Sequence, residues 1–197
     1  MNSESLTHTS LLDALCDRGN DQAWKRFLRR YQEMLLRFAK RVGASDAEAL
    51  ELVADTIATC VERYPDGAFD RDKGRLRDWL RGVLMNLVRR QRQRRATASK
   101  HAEALGRAAA EAESRQLDEA YDMEWRLENL NQALERLRRE ADVDTFQAFD
   151  LYARRGWTVR DVSEMLGITA NAIYVAKYRM LNRLREIMGE SAAGEMP

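Results

Sequence analysis

The residues of this chain best equipped for chemistry are its 33 lysines and arginines, and they are unevenly spread. From Lys73 to Arg95 nine basic residues meet a single acid, Asp78. From Thr169 to Arg185 there are four bases, Lys177, Arg179, Arg183 and Arg185, and no acid at all. Guanidinium and ammonium groups at that density attract phosphate, so the chemistry on offer is recognition of a polyanion. Between these runs, from Ala102 to Glu128, eight acids oppose three arginines. The net charge of +1 therefore conceals two positive lobes around a negative middle.

Other chemistries lack their residues. The chain has no phosphate-cradling glycine loop, no nucleophile elbow and no H-E-x-x-H helix. Cys16 and Cys60 form no C-x-x-C pair, and His8 and His101 are the only imidazoles, too poor a set for a structural zinc site. No catalytic residue, cofactor or metal is expected, and the protein is not read as an enzyme. Both cysteines read as small core residues or bystanders.

The sharpest pattern lies near the C-terminal end. Thr158-Val-Arg-Asp161 has the spacing of a helix N-cap, Val159, Val162 and Leu166 form an apolar stripe, and Gly167 ends the helix. Thr169 then caps a second, longer helix whose buried stripe is Ala172, Ile173, Ala176, Met180, Leu181, Leu184 and Ile187. A short helix, a turn of three or four residues containing glycine and a basic second helix make a helix-turn-helix of the DNA-binding kind. Small Ser163 suits the close approach of its two helices. The first turn of the second helix would present Thr169, Asn171, Ala172 and Tyr174 to base edges in the major groove. Lys177, Arg179 and Arg183 would sit within reach of phosphates.

The rest of the chain must position these groups, and its periodicity is helical almost throughout. Ser10 to Asp13 has capping-box spacing ahead of a short helix that Gly19 and Asn20 break. Trp24, Phe27, Leu28, Tyr31, Leu35, Phe38 and Val42 recur at three and four residues up to Gly43. Ser45 to Glu48 opens a third helix with Leu50, Val53, Ile57, Val61 and Tyr64 on one face, which Pro65 should end. A polar loop follows to Gly74. A fourth helix carries Leu76, Trp79, Leu80, Val83, Leu84, Leu87 and Val88 inward and its arginines outward. Tyr64, Phe69 and Trp79 lie near that basic helix and could stack on unpaired bases. Trp79 sits on the apolar stripe and reads as core, whereas Phe69, in the polar loop, is open to either role. Residues 96–123 turn to Ala, Glu, Arg and Ser and read as an acidic linker with little to anchor a core. Periodicity returns with Leu127, Leu130, Leu134 and Leu137, then Val143, Phe146, Phe149 and Tyr152, and a frayed tail is expected from Gly189.

The expected fold is thus all-α, with two small helical domains at 10–95 and 124–188 and the helix-turn-helix in the second. Two prolines and 10 glycines are too few for a many-stranded sandwich or barrel. No apolar run reaches the ~20 residues of a membrane span, so no membrane insertion is expected. The first residues lack a basic flank and apolar stretch, and the chain is read as cytoplasmic.

Several of these segments carry a family likeness. Trp24-Lys-Arg-Phe27 with Tyr31, the stretch Glu51-Leu-Val-Ala-Asp-Thr-Ile57, and Gly74-Arg-Leu-Arg-Asp-Trp-Leu80 followed by Asn86 and Arg89-Arg90 precede the segment Thr158 to Arg185. In that order and spacing they resemble the compact two-domain bacterial sigma factors of the extracytoplasmic-function type. The resemblance implies a transcription initiation factor that docks on RNA polymerase core and directs it to promoter DNA. It implies that the helix bearing Glu51, Leu52, Asp55 and Ile57 faces the clamp helices of the largest polymerase subunit. It further implies that Phe69, Asn86, Arg89 and Arg90 hold the melted −10 element, and that the second domain reads the −35 element as duplex. The acidic stretch would thread toward the polymerase channel or serve as a solvated spacer. An anti-sigma factor becomes a candidate partner. The chain departs from the family at Leu52-Val53-Ala54-Asp55, where Leu-Val-Gln-Glu is usual, and at Tyr174 and Ala176, where a basic pair is usual. The alternative from the residues alone is a stand-alone helix-turn-helix regulator that binds duplex DNA without polymerase, which leaves the basic helix at 74–95 without a role.

Overall fold

The computed structural model describes residues 8–17, 19–68, 75–98 and 107–194. Its elements are α-helices and π-helical turns, and no strand occurs among the described residues. They are α1 (His8–Ala14), α2 (Asp21–Arg41), α3 (Asp46–Arg63), α4 (Leu76–Ala98), α5 (Arg107–Glu140), α6 (Val143–Phe149), α7 (Val159–Leu166) and α8 (Ala170–Gly194). The all-α expectation holds. The chain divides into two compact units, with the boundary after Glu128, inside α5.

In the first unit the caps expected from sequence set α2 and α3. The Asn20 side chain accepts from the Ala23 N–H at 3.1 Å. At the other end of α2, Gly43 adopts φ of 89°. That left-handed residue lets Gly43 N–H reach Lys40 O and Ala44 N–H reach Ala39 O, each at 3.0 Å, which satisfies the last carbonyls. Ser45 and Glu48 close a reciprocal capping box on α3. Ser10, by contrast, lies within α1 rather than at its cap. The inward stripe of α3 is Ala49, Leu52, Val53, Thr56 and Cys60, so Leu50 faces out, 58% exposed. Pro65 does not end the helical path, because a π-helical turn spans Tyr64–Ala68. Proline is tolerated at the start of such a turn, where its missing N–H has no bond to make.

The larger departure concerns the stretch read as a linker. Its second half belongs to α5, and Leu117, Tyr121 and Trp125, each one turn apart, are 5%, 0% and 2% exposed in the core of the first unit. The Trp125 ring stacks on Tyr31 at 5.4 Å and lies 5.9 Å from Tyr121, while Phe38 meets Tyr121 edge-on at 6.0 Å. The buried Tyr121 hydroxyl donates to the Arg77 carbonyl at 2.9 Å, and burial pushes its pKa well above the usual phenol value. Glu124, with a side chain 1% exposed, accepts from Arg37 Nε at 2.8 Å and from Arg41 Nε at 2.7 Å, and Glu128 accepts from Arg37 at 2.9 Å. The boundaries expected at 95 and 124 therefore differ from the observed division at 128, because this aromatic stripe and its buried carboxylate fasten α5 to α2 and α4.

Trp79 packs against the same core, as expected for a residue on the apolar stripe. Tyr64 is buried too, its hydroxyl donating to the Leu12 carbonyl at 3.1 Å, and so cannot stack on a base. Cys60 is buried, which raises its thiol pKa to about 12, and Cys16 is exposed.

The second unit, Asn129–Ala193, holds the end of α5 with α6, α7 and α8. Ala133, Leu137, Phe149, Met180, Leu184 and Ile187 form one cluster, and Leu151, Val162 and Ile173 a second beneath the helix-turn-helix. Val143, expected on the inward stripe, is 76% exposed. The α6 path continues through a π-helical turn, Asp150–Arg154. α8 continues to Gly194, past the point where fraying was expected.

Candidate nucleic-acid interfaces

The helix-turn-helix forms as its sequence dictates. The Thr158 hydroxyl accepts from the Asp161 N–H at 3.2 Å and starts α7. Gly167 ends it at φ of 65°, its N–H bonded to the Ser163 carbonyl at 2.9 Å. A Cβ there would meet nothing within 4 Å, so backbone conformation rather than crowding calls for glycine. The Ser163 hydroxyl bonds the Ile168 carbonyl, a tie across the turn rather than a mere gap between helices. Thr169 caps α8 through the Ala172 N–H at 3.2 Å.

α8 buries Ile173, Ala176, Met180, Leu184 and Ile187. Successive residues of a helix turn by about 100°, which sends Asn171, Tyr174, Val175 and Tyr178 to the opposite side. Thr169 and Asn171 are exposed, Ala172 is half-buried, and Tyr174 is 51% exposed. Val175 and Tyr178, 37% and 69% exposed, share this outer face and were missed by reading only the first turn. The signal was available, because Tyr178 stands one turn beyond Tyr174. Tyr174 meets Tyr152 edge-on at 5.8 Å, and the Lys177 ammonium lies 5.2 Å from the same Tyr152 ring. Tyr152 thus orients both side chains from behind.

Arg179 is exposed, but Arg183 is not available as expected. Its guanidinium bonds Glu140 at 2.7 Å and Glu186 at 2.9 Å and approaches Glu190 at 3.5 Å. Those partners raise the Arg183 pKa further. Glu140, between Arg136 and Arg183, is held below the usual carboxylate range. Arg183 is therefore a fastening of the second unit.

In the first unit α4 has two basic faces. Arg77, Arg81 and Arg92 turn toward α5 and pair with Asp122, Asp118 and Glu113, the Arg81–Asp118 pair at 3.8 Å. Asn86, Arg89, Arg90 and Arg94 are exposed on the other face, and no ion pair among the described residues engages these three arginines. Phe69 lies outside the described residues. Two of these arginines, Arg90 and Arg94, border a narrow groove of about 80 Å³ lined also by Glu51, Leu52 and Asp55 of α3 and by Leu87 and Gln91 of α4. Glu51 and Asp55 are exposed. Leu52 is 3% exposed and packs in the core while forming part of the groove floor, and Ile57 is half-buried against that core. The outward apolar residue of this stretch is Leu50, on the rim of a hollow of about 420 Å³ shared with Leu36, Lys40 and Asp46.

Among the described residues, no helix is long and apolar enough to cross a membrane and no group of three or more His, Cys, Asp or Glu could hold a metal ion.

The described residues are helical and present a helix-turn-helix and a second exposed basic helix. Residues 27–97, which run from α2 through α4, match the family Sigma-70 region 2. The match supports a sigma factor over that stretch. Among solved structures, the chain is similar to one described as the structure of CnrH in complex with the cytosolic domain of CnrY. The identity is 19%, over 91% of this chain and 95% of that one, with a TM-score of 0.36, a likeness too slight to carry any argument. No curated protein matches the chain.

Proposed function

We propose that this protein is a transcription initiation factor of the extracytoplasmic-function type, which joins RNA polymerase core and selects promoters. The observation that carries the reading is the Sigma-70 region 2 match on a chain whose C-terminal unit is a helix-turn-helix. Glu51 and Asp55, with Leu50 as the apolar contact and Ile57 behind them, form the docking edge for the clamp helices of the largest polymerase subunit. Asn86, Arg89 and Arg90, with Phe69, hold the melted −10 strand, in which guanidinium groups track phosphates and an aromatic ring stacks on a base. Thr169, Asn171, Ala172 and Tyr174 read the −35 duplex, and Lys177 and Arg179 reach its phosphates. An anti-sigma factor is the regulatory partner that fits this role. The polymerase supplies the metal ions and the phosphoryl chemistry, while this chain supplies binding energy and strand opening.

The test is gel-filtration co-elution of the full chain with bacterial core polymerase free of other sigma factors. A stable complex that Glu51→Lys with Asp55→Lys abolishes is the expected result. Failure to co-elute beside a competent control sigma factor, with duplex DNA still bound, would replace the reading with a stand-alone regulator.

A further inference from the structure

We propose that α8 reads thymines by their C5 methyl groups, through an apolar strip of Tyr174, Val175 and Tyr178. The inference rests on the duplex-reading role given above to the helix-turn-helix, and it adds the chemistry that is read.

Three observations lead to it. The strip is contiguous, lies opposite the buried stripe of α8, and leaves Tyr174, Val175 and Tyr178 51%, 37% and 69% exposed. A solvent-facing apolar patch on a small domain marks a surface that something else covers. The edges of the strip then say what covers it. Lys177 and Arg179 flank Tyr178 in sequence, so each leaves the helix about 100° to one side of it. The apolar strip is thus bordered by a cation on both sides, and from Thr169 to Arg185 no acid interrupts them. The major groove has the complementary layout, phosphates on both walls and base edges on the floor, and its ~12 Å width admits a helix. On that floor the apolar group is the thymine methyl.

The third observation is orientation. Tyr174 and Lys177 both rest on the Tyr152 ring, at 5.8 Å and 5.2 Å, so one aromatic residue behind α8 sets the angle between a base-facing ring and a phosphate-facing ammonium. Asn171, on the same outer face, supplies the polar counterpart that can bond an adenine edge. The surface therefore favours a site in which adenine and thymine stand within one helical turn.

The experiment selects preferred duplexes from a random library with the full chain, alone and bound to core polymerase. It then replaces each thymine of the selected site by deoxyuridine, which removes only the methyl. At one or more positions binding should fall about fourfold for each methyl lost. In Tyr178→Ala the thymine and deoxyuridine duplexes should bind equally, while Lys177→Ala and Arg179→Ala should weaken both and keep their ratio. Tyr178 is exposed, so its replacement leaves the core intact, and an unchanged thermal midpoint verifies that. No deoxyuridine effect at any position, or Tyr178→Ala with the parent's thymine preference, would overturn the proposal and assign the strip to a protein partner. Thymine dependence seen with the free chain but no complex with core polymerase would uphold the methyl reading and remove the initiation-factor reading. Enrichment of no duplex in either form would overturn both.

Discussion

Arg179 and Arg183 lie one turn apart on α8, and sequence alone assigns both to phosphate. Their surroundings separate them. Arg183 is held by Glu140, Glu186 and Glu190, whereas Arg179 is exposed and on the edge of the apolar strip. A guanidinium already bonded to carboxylates releases few counterions on meeting DNA, so it adds little to the salt dependence of binding. Arg179→Ala is expected to reduce the slope of log affinity against log salt by about one, with the urea midpoint unchanged. Arg183→Ala should do the opposite, lowering the midpoint and leaving the slope. Part of that stability also depends on pH. Because Glu140 titrates below the usual carboxylate range when folded, its contribution is present above its unfolded pKa and is lost as pH falls through the folded value. Arg183→Ala should weaken this acid sensitivity. A salt slope that drops for Arg183→Ala as much as for Arg179→Ala would return Arg183 to the interface.

The elements that carry the proposed function were legible because local rules decide them. Thr158, Gly167 and Thr169 fix the ends of α7 and α8 by capping and left-handed geometry, which short-range sequence states outright. α5 was not legible over 107–123. Its alanines and charges read as solvated, and two large apolar residues of the inward stripe, Leu117 and Tyr121, are few enough to vanish in composition. Leu117, Tyr121 and Trp125 nevertheless fall on one face, and a buried carboxylate, Glu124, completes the contact with Arg37 and Arg41. Reading the outward face of α3 failed for a related reason, since Leu50, Leu52 and Val53 are too close together for periodicity to say which points in. The consequence for α5 is measurable. Trp125→Ala in the full chain should destabilise the first unit by about 3–5 kcal/mol, as for other buried aromatics. Trp125→Phe should retain most of the stability, because the buried indole N–H has no hydrogen-bond partner to lose. Urea unfolding followed by circular dichroism checks both, and a Trp125→Ala midpoint equal to that of the parent would show that this half of α5 does act as a spacer.

At the scale of the whole chain, 33 basic and 32 acidic residues nearly cancel, but the two signs are segregated rather than mixed. The acids of α5 lie against one face of α4 and occupy Arg77, Arg81 and Arg92, which leaves Arg89, Arg90 and Arg94 to define the field outside. A helix basic on every side would bind any polyanion in many registers. Under the proposed function, neutralising one side would confine nucleic acid to the face where Asn86 also lies and so lower indiscriminate binding. The acids can be removed without undocking the helix, since Leu117, Tyr121 and Trp125 supply its apolar anchorage. Asp118→Asn combined with Asp122→Asn should therefore keep the fold while releasing Arg77 and Arg81. Affinity for a random single strand should rise, and its salt slope should steepen by roughly 0.7 for each arginine released. Fluorescence anisotropy on a labelled oligonucleotide across a salt series reads both quantities. An unaltered slope with an intact circular dichroism spectrum would mean that these carboxylates fasten α5 without shaping the field that nucleic acid meets.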